Sequence, residues 1–172
     1  MWENRSRMLD KFGLDQTGKI QYKFNNQGFR ANNDYCDQPN IVFFGCSLVF
    51  GIGVSYDKTF TAQFHRSHNY GLAGDYDNIG IYQIIMMWLK SDFSQTCVNR
   101  VVVWSDRDNT MAEHYAQCLL PYGFVNFFCG VVPGLDNCYA MPPKIDLDIS
   151  GTHMGPKTHK LLYKILCPLL DL

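Results

Sequence analysis

Residues 41–54 read Ile41-Val42-Phe43-Phe44-Gly45-Cys46-Ser47-Leu48-Val49-Phe50-Gly51-Ile52-Gly53-Val54. The first four side chains are apolar, and all are β-branched or aromatic. A short unbroken run of this kind, ended by a glycine, predicts a strand covered on both faces rather than one alternating between core and water. Strands covered on both faces belong to parallel sheets sandwiched by helices. The glycines that follow turn the chain sharply and leave Ser47 just past the strand end.

Outward from this strand, the pattern alternates. Residues 58–69 have a weak helical pattern, and residues 76–80 suggest a short strand. Residues 81–90 form a nearly all-apolar helix, and the run Val101-Val102-Val103-Trp104 within residues 100–104 is the clearest further strand. Residues 110–120 predict a helix stopped by Pro121, and residues 124–132 a strand broken by Pro133-Gly134. Pro156 suits a first helical turn, and Leu161, Leu162, Ile165 and Leu166 then make one apolar stripe. Strand and helix in alternation predict a parallel sheet with helices on both faces, the three-layer α/β sandwich. Residues 1–40 are polar, with Asn-rich turns and a possible short strand at 20–24. They are expected to be a leader packed on a domain spanning 41–172.

Composition narrows the function. At 172 residues the chain suits one domain with a sizeable core. Fifteen Lys and Arg against sixteen Asp and Glu give a net charge of -1, which offers no electrostatic footprint for nucleic acid or an anionic membrane. Residues 1–10 lack the basic-then-apolar build of a signal peptide, and no apolar run is long enough to span a bilayer. Seven cysteines with no C-x-x-C pair are expected to be reduced thiols, as in the cytoplasm, and their spacing does not suggest zinc.

In a parallel sheet the ligand sits beyond the carboxyl ends of the strands, so the loops at 45–53, 80–83, 105–109 and 149–155 carry the candidates. Ser47 is a candidate nucleophile. The alternatives at this loop are a phosphate cradle and a glycine-rich turn without chemistry, but neither G-x-G-x-x-G nor the Walker pattern fits. His153, in the loop before the last helix, is a candidate base, since histidine usually deprotonates a serine and an acid usually orients its ring. Cys46 is a second possible nucleophile. His65, His68 and His114 fall in helical patterns and read as surface or packing residues. Arg107 reads as a solvated charge or a substrate-binding cation.

Together the two loops resemble the SGNH, or GDSL-like, hydrolases. Gly45-Cys46-Ser47 with Gly51-Ile52-Gly53-Val54 resembles the family's first block, and Asn25-Asn26-Gln27-Gly28-Phe29-Arg30 its upstream leader. Asn78-Ile79-Gly80 resembles the second block, and residues 101–109 sit where the third belongs. Gly151-Thr152-His153-Met154-Gly155-Pro156 resembles the fifth. Cysteine in place of the first-block aspartate is similar to variants in bacteriophage genomes. The resemblance implies a flavodoxin-like three-layer fold and an esterase or acyl hydrolase without cofactor or metal, acting on small esters, lipids or acylated carbohydrates. It implies Ser47 as nucleophile and His153 as base. Ser150 holds the place of the family's acid, leaving Asp148 as the nearest carboxylate. The implied oxyanion donors are the backbone N–H groups of Ser47 and Gly80 and the side chain of Asn109, with Asp108 the alternative to Asn109 after a one-residue shift. Gln83 stands where the family often has a second-block glycine. The competing expectations are a catalytically impaired member serving as a viral structural, accessory or carbohydrate-binding module, and a flavodoxin-like nucleotide or flavin binder.

Overall fold

A computed structural model describes residues 20–36, 38–74, 77–148 and 153–172. Five strands form one sheet: β1 (Ile41–Gly45), β2 (Ser67–Gly71), β3 (Asn99–Trp104), β4 (Phe124–Phe128) and β5 (Cys138–Ala140). Every pairing is parallel, and the order is β2-β1-β3-β4-β5. The helices are α1 (Ser47–Phe50), α2 (Asn78–Trp88), α3 (Phe93–Thr96), α4 (Asn109–Leu119) and α5 (Pro156–Leu169).

Strand alternation sorts the apolar side chains into two layers. Val42, Phe44, Val102, Trp104, Phe124 and Phe128 face α2 and α4, meeting Ile81, Ile85, Trp88, Ala112, Tyr115 and Leu119. Ile41, Phe43, Val101, Val103 and Phe127 face the other way, against Phe60, Phe64 and the Leu162, Leu166 and Leu170 stripe at the chain end. Truncating Leu162 or Leu166 to alanine is expected to cost about 2–5 kcal/mol each, because both are fully buried. The polar core groups on β4 and β3 are satisfied together: Trp104 Nε1 donates to Asn126 Oδ1 at 3.0 Å, so the indole is buried without an orphaned donor.

Several local expectations are corrected. The helix expected at 58–69 is two 3₁₀ turns, Tyr56–Lys58 and Thr61–Gln63, followed by β2. β2 reads Ser67-His68-Asn69-Tyr70-Gly71 and has no apolar run to mark it. Its stability comes from partners instead. Asn69 Nδ2 donates to Val49 O at 3.0 Å and Thr61 Oγ1 at 3.1 Å, and Asn69 N donates to the Tyr35 hydroxyl at 2.8 Å. The strand expected at 76–80 is the start of α2, where Asp77 caps the helix; Tyr76 lies outside the described residues. The strand expected at 124–132 ends at Phe128, and residues 20–24 contribute only an isolated bridge, Phe24 with Arg30. β5 is three residues long and was not foreseen. The residues of the expected leader before Ile20 lie outside the described residues. Among the described residues no helix is long and apolar enough to cross a membrane.

The strand order reverses between β1 and β3, which makes a crevice at their carboxyl ends. Ser47 follows β1 and Ser105–Asp108 follow β3, so the sheet delivers both loops to that crevice.

Candidate active site

A cleft of about 460 Å³ opens at this edge. Its walls include Cys46, Ser47, Gly74, Arg107, Lys144 and His153. Ser47 and His153, far apart in sequence, therefore share one cavity. Ser47 begins the single turn of α1, whose Val49 and Phe50 amides donate to Cys46 O at 3.0 and 3.1 Å. The serine is half-buried and lines the cleft.

His153 is held from behind. Its Nδ1 lies 3.6 Å from Asp148 Oδ2. Its backbone N–H donates to Asp148 Oδ1 at 3.2 Å, and Asp148 N donates to His153 O at 3.0 Å. The Asp148 side chain has no solvent exposure, whereas that of His153 is 30% exposed. The imidazole thus has a buried carboxylate on one side and the cleft on the other. Leu147 and Met154 bridge the loop's two ends. The next helix is anchored independently: Asp146 accepts from the Lys157 and Thr158 amides at 2.9 and 2.8 Å. Ser150, Gly151 and Thr152 lie outside the described residues.

The third loop is set by Asn78. Its Oδ1 accepts from Ser105 N at 2.9 Å, and its Nδ2 donates to Ser105 O and Asp108 O at 3.2 and 3.0 Å. Asp108 caps α4 by accepting from Met111 N at 3.0 Å. Asn109 does not line the cleft. It is the first residue of α4, and its amide packs on Gly130, where a Cβ would come within 2.6 Å of both amide heavy atoms. From this loop it is Ser105, Asp106 and Arg107 that line the cleft.

Gly80, another expected oxyanion donor, lies in the first turn of α2. Its amide donates to Asp77 Oδ1 at 3.1 Å, and the residue does not line the cleft. The glycine on the cleft wall is Gly74. The signal for it was present in the sequence: asparagine, a glycine two residues on and another three beyond describe Asn69, Gly71 and Gly74 more fully than Asn78 and Gly80.

Two buried or half-buried thiols, Cys46 and Cys129, line the floor. Interaction between their side chains favours ionisation at Cys46 and suppresses it at Cys129. All seven cysteines are free thiols. Among the described residues no group of three or more His, Cys, Asp or Glu is arranged to hold a metal. Comparisons with protein-family models, curated proteins and solved structures gave no match to this chain.

Proposed function

We propose that the cleft hydrolyses carboxylic esters by the serine route, in the manner of the SGNH-like hydrolases that the sequence resembles. One observation carries the reading: Ser47 and His153 line one cleft at the strand ends, and His153 is backed by the buried carboxylate of Asp148. Ser47 Oγ attacks the ester carbonyl while the His153 Nε2 takes its proton. Asp148 holds the ring by its Nδ1 side and stabilises the imidazolium. The protonated histidine then gives its proton to the departing alcohol. Water, deprotonated by the same ring, releases the acid and restores the serine.

The negative charge on the tetrahedral oxygen needs donors on the cleft wall. In this reading the Ser47 amide and the segment at Gly74 supply backbone N–H groups, and Arg107 supplies guanidinium N–H groups. Gly80 and Asn109 are replaced in this role. Substrates of the class are small esters, lipids with short acyl groups, or acylated carbohydrates that fit the cleft.

The same displacement of Asn109 and Gly80 favours a second reading, a cleft that binds an acylated carbohydrate without turning it over. A fluorophosphonate probe separates the two. Covalent capture at Ser47, lost in Ser47→Ala, supports the hydrolase; an unlabelled protein that still binds acetylated sugars by calorimetry supports the binding module.

A further inference from the structure

Arg30 is fully buried, and its guanidinium is spent on backbone carbonyls. Nη1 donates to Phe50 O at 2.7 Å and also to Gly51 O, and Nη2 donates to Val54 O. The group lies 4.6 Å from the Tyr22 ring centre and 5.3 Å from that of Phe50. Burial pulls its pKa down to about 10, so it remains a cation at neutral pH. A buried cation holding three carbonyls is costly to place, and here it grips one short turn, residues 50–54.

That turn has two further attachments. At its start it continues α1, whose first residue is Ser47; Gly51 N donates to Ser47 O at 2.9 Å. In its middle, Gly53 has φ +80 and no side chain, and a Cβ there would stand 1.7 Å from Asp148 Oδ2. Gly53 N donates to the Tyr22 hydroxyl at 2.9 Å. The backbone of Gly53 therefore packs against the Asp148 carboxylate, at the same Oδ2 oxygen that lies 3.6 Å from His153 Nδ1. The turn touches both halves of the site, and Arg30 fixes the turn.

We propose that Arg30 is a positioning residue: by clamping residues 50–54 it sets the Gly53 backbone against Asp148 Oδ2, and so the placement of His153 relative to Ser47. This rests on the hydrolase reading above for its catalytic consequence, but the placement itself is measurable without turnover. The chain of contact is continuous, from guanidinium to carbonyl, turn, carboxylate and imidazole. A shift of about 1 Å at reacting groups costs on the order of a hundredfold in rate, so loosening the clamp has a visible effect.

The test compares Arg30→Lys, Arg30→Met and Gly53→Ala in the full chain, with Ile85→Val as a control that perturbs the opposite core layer. Three quantities are read: melting temperature, the rate of fluorophosphonate capture at Ser47, and the ring ¹⁵N resonances of His153, which report which nitrogen carries the proton. Gly53→Ala displaces Asp148 and should cut capture about ten- to a hundredfold, with loss of the Nδ1-protonated signature in the neutral ring. Arg30→Met should do the same, and Arg30→Lys, which keeps the charge but cannot fork to three carbonyls, should fall between it and the native protein. Ile85→Val should lower melting alone. If Arg30→Met does not fold, Arg30→Lys and Gly53→Ala decide. The proposal is overturned if folded variants keep both capture rate and ¹⁵N signature, or lose capture only as far as melting explains. If the native protein is not captured at all, the hydrolase reading fails, and the ¹⁵N signature alone then decides whether Arg30 positions His153.

Discussion

His153 Nδ1 stands 3.6 Å from Asp148 Oδ2, and the backbone N–H of the same histidine donates to the other oxygen of that carboxylate at 3.2 Å. The carboxylate is thus tied to its partner at two points, while its own side chain is closed to solvent. A separation of 3.6 Å is long for a hydrogen bond, and catalytic contacts in unliganded sites commonly tighten when substrate binds. Replacing Asp148 by asparagine keeps an oxygen for the His153 amide and removes the charge that steadies an imidazolium. Hydrolysis of p-nitrophenyl acetate should fall by about a hundred- to ten-thousandfold, with the melting temperature little changed. Unchanged turnover would mean that something other than Asp148 orients the ring.

Asn109 and Gly80 give the opposite prediction. Neither is among the residues that line the cleft; the Asn109 amide packs against Gly130, and the Gly80 amide donates to Asp77. Asn109→Ala should leave ester turnover within about twofold of the native protein, whereas loss of a true oxyanion donor costs about a hundred- to a thousandfold. Arg107→Met should show a loss of that larger kind. Steady-state rates on one activated ester distinguish the two.

How much of this was legible in the sequence follows from where the signal lay. The β1 run, the Val101–Val103 strand and the α5 stripe carry their burial as uninterrupted apolar residues, so sheet type and layering were readable. β2 was not, because His68, Asn69 and Tyr70 are buried through hydrogen bonds and ring stacking rather than as aliphatic side chains; Tyr35 stacks on His68 with ring centres 4.0 Å apart. Missing β2 moved the second loop from Gly74 to Gly80. In the third loop, adjacent polar residues at 105–109 offer several registers, and only the capping of α4 by Asp108 fixes which side chain turns to the cleft. Ser47 and His153 could be singled out because one follows a recognisable strand end and the other precedes a recognisable helix start, and Asp148 because it is the nearest carboxylate to the place that Ser150 holds. Arg30 closes the Asn25–Arg30 leader block, but its grip on residues 50–54, 20 to 24 positions away, could not be read from that block.

Two buried histidines make stability depend on acid. His159 is stacked on Phe60, and its Nδ1 accepts from Phe60 N at 3.3 Å; His68 lies between Tyr35 and Tyr70. Burial lowers each to about 4, below the usual value of about 6.5 in an unfolded chain. The unfolded state therefore binds the protons first. The stabilisation from keeping both rings neutral is complete above about pH 6.5 and is lost as pH falls toward about 4. Melting temperature should decline across that window, and the slope should flatten in His68→Gln and again in the double variant with His159→Gln. Equal slopes in all three proteins would contradict burial as the cause.

Cys46 lines the cleft next to Ser47, and its contact with Cys129 favours the thiolate, so the two nucleophiles must be separated by substitution. Cys46→Ser should retain ester hydrolysis within about threefold, since a hydroxyl in that floor position leaves Ser47, His153 and Asp148 in place. Loss of turnover in Cys46→Ser with retention in Ser47→Ala would transfer the nucleophile to the thiol.

An activated Ser47 served by His153 reacts covalently with a fluorophosphonate, so the native protein is labelled with such a probe and the modified residue mapped by mass spectrometry. The expected result is one adduct, on Ser47, absent in Ser47→Ala and at least about a hundredfold slower in His153→Ala. An unmodified Ser47 in a folded protein, or labelling that proceeds at the same rate without His153, would contradict it.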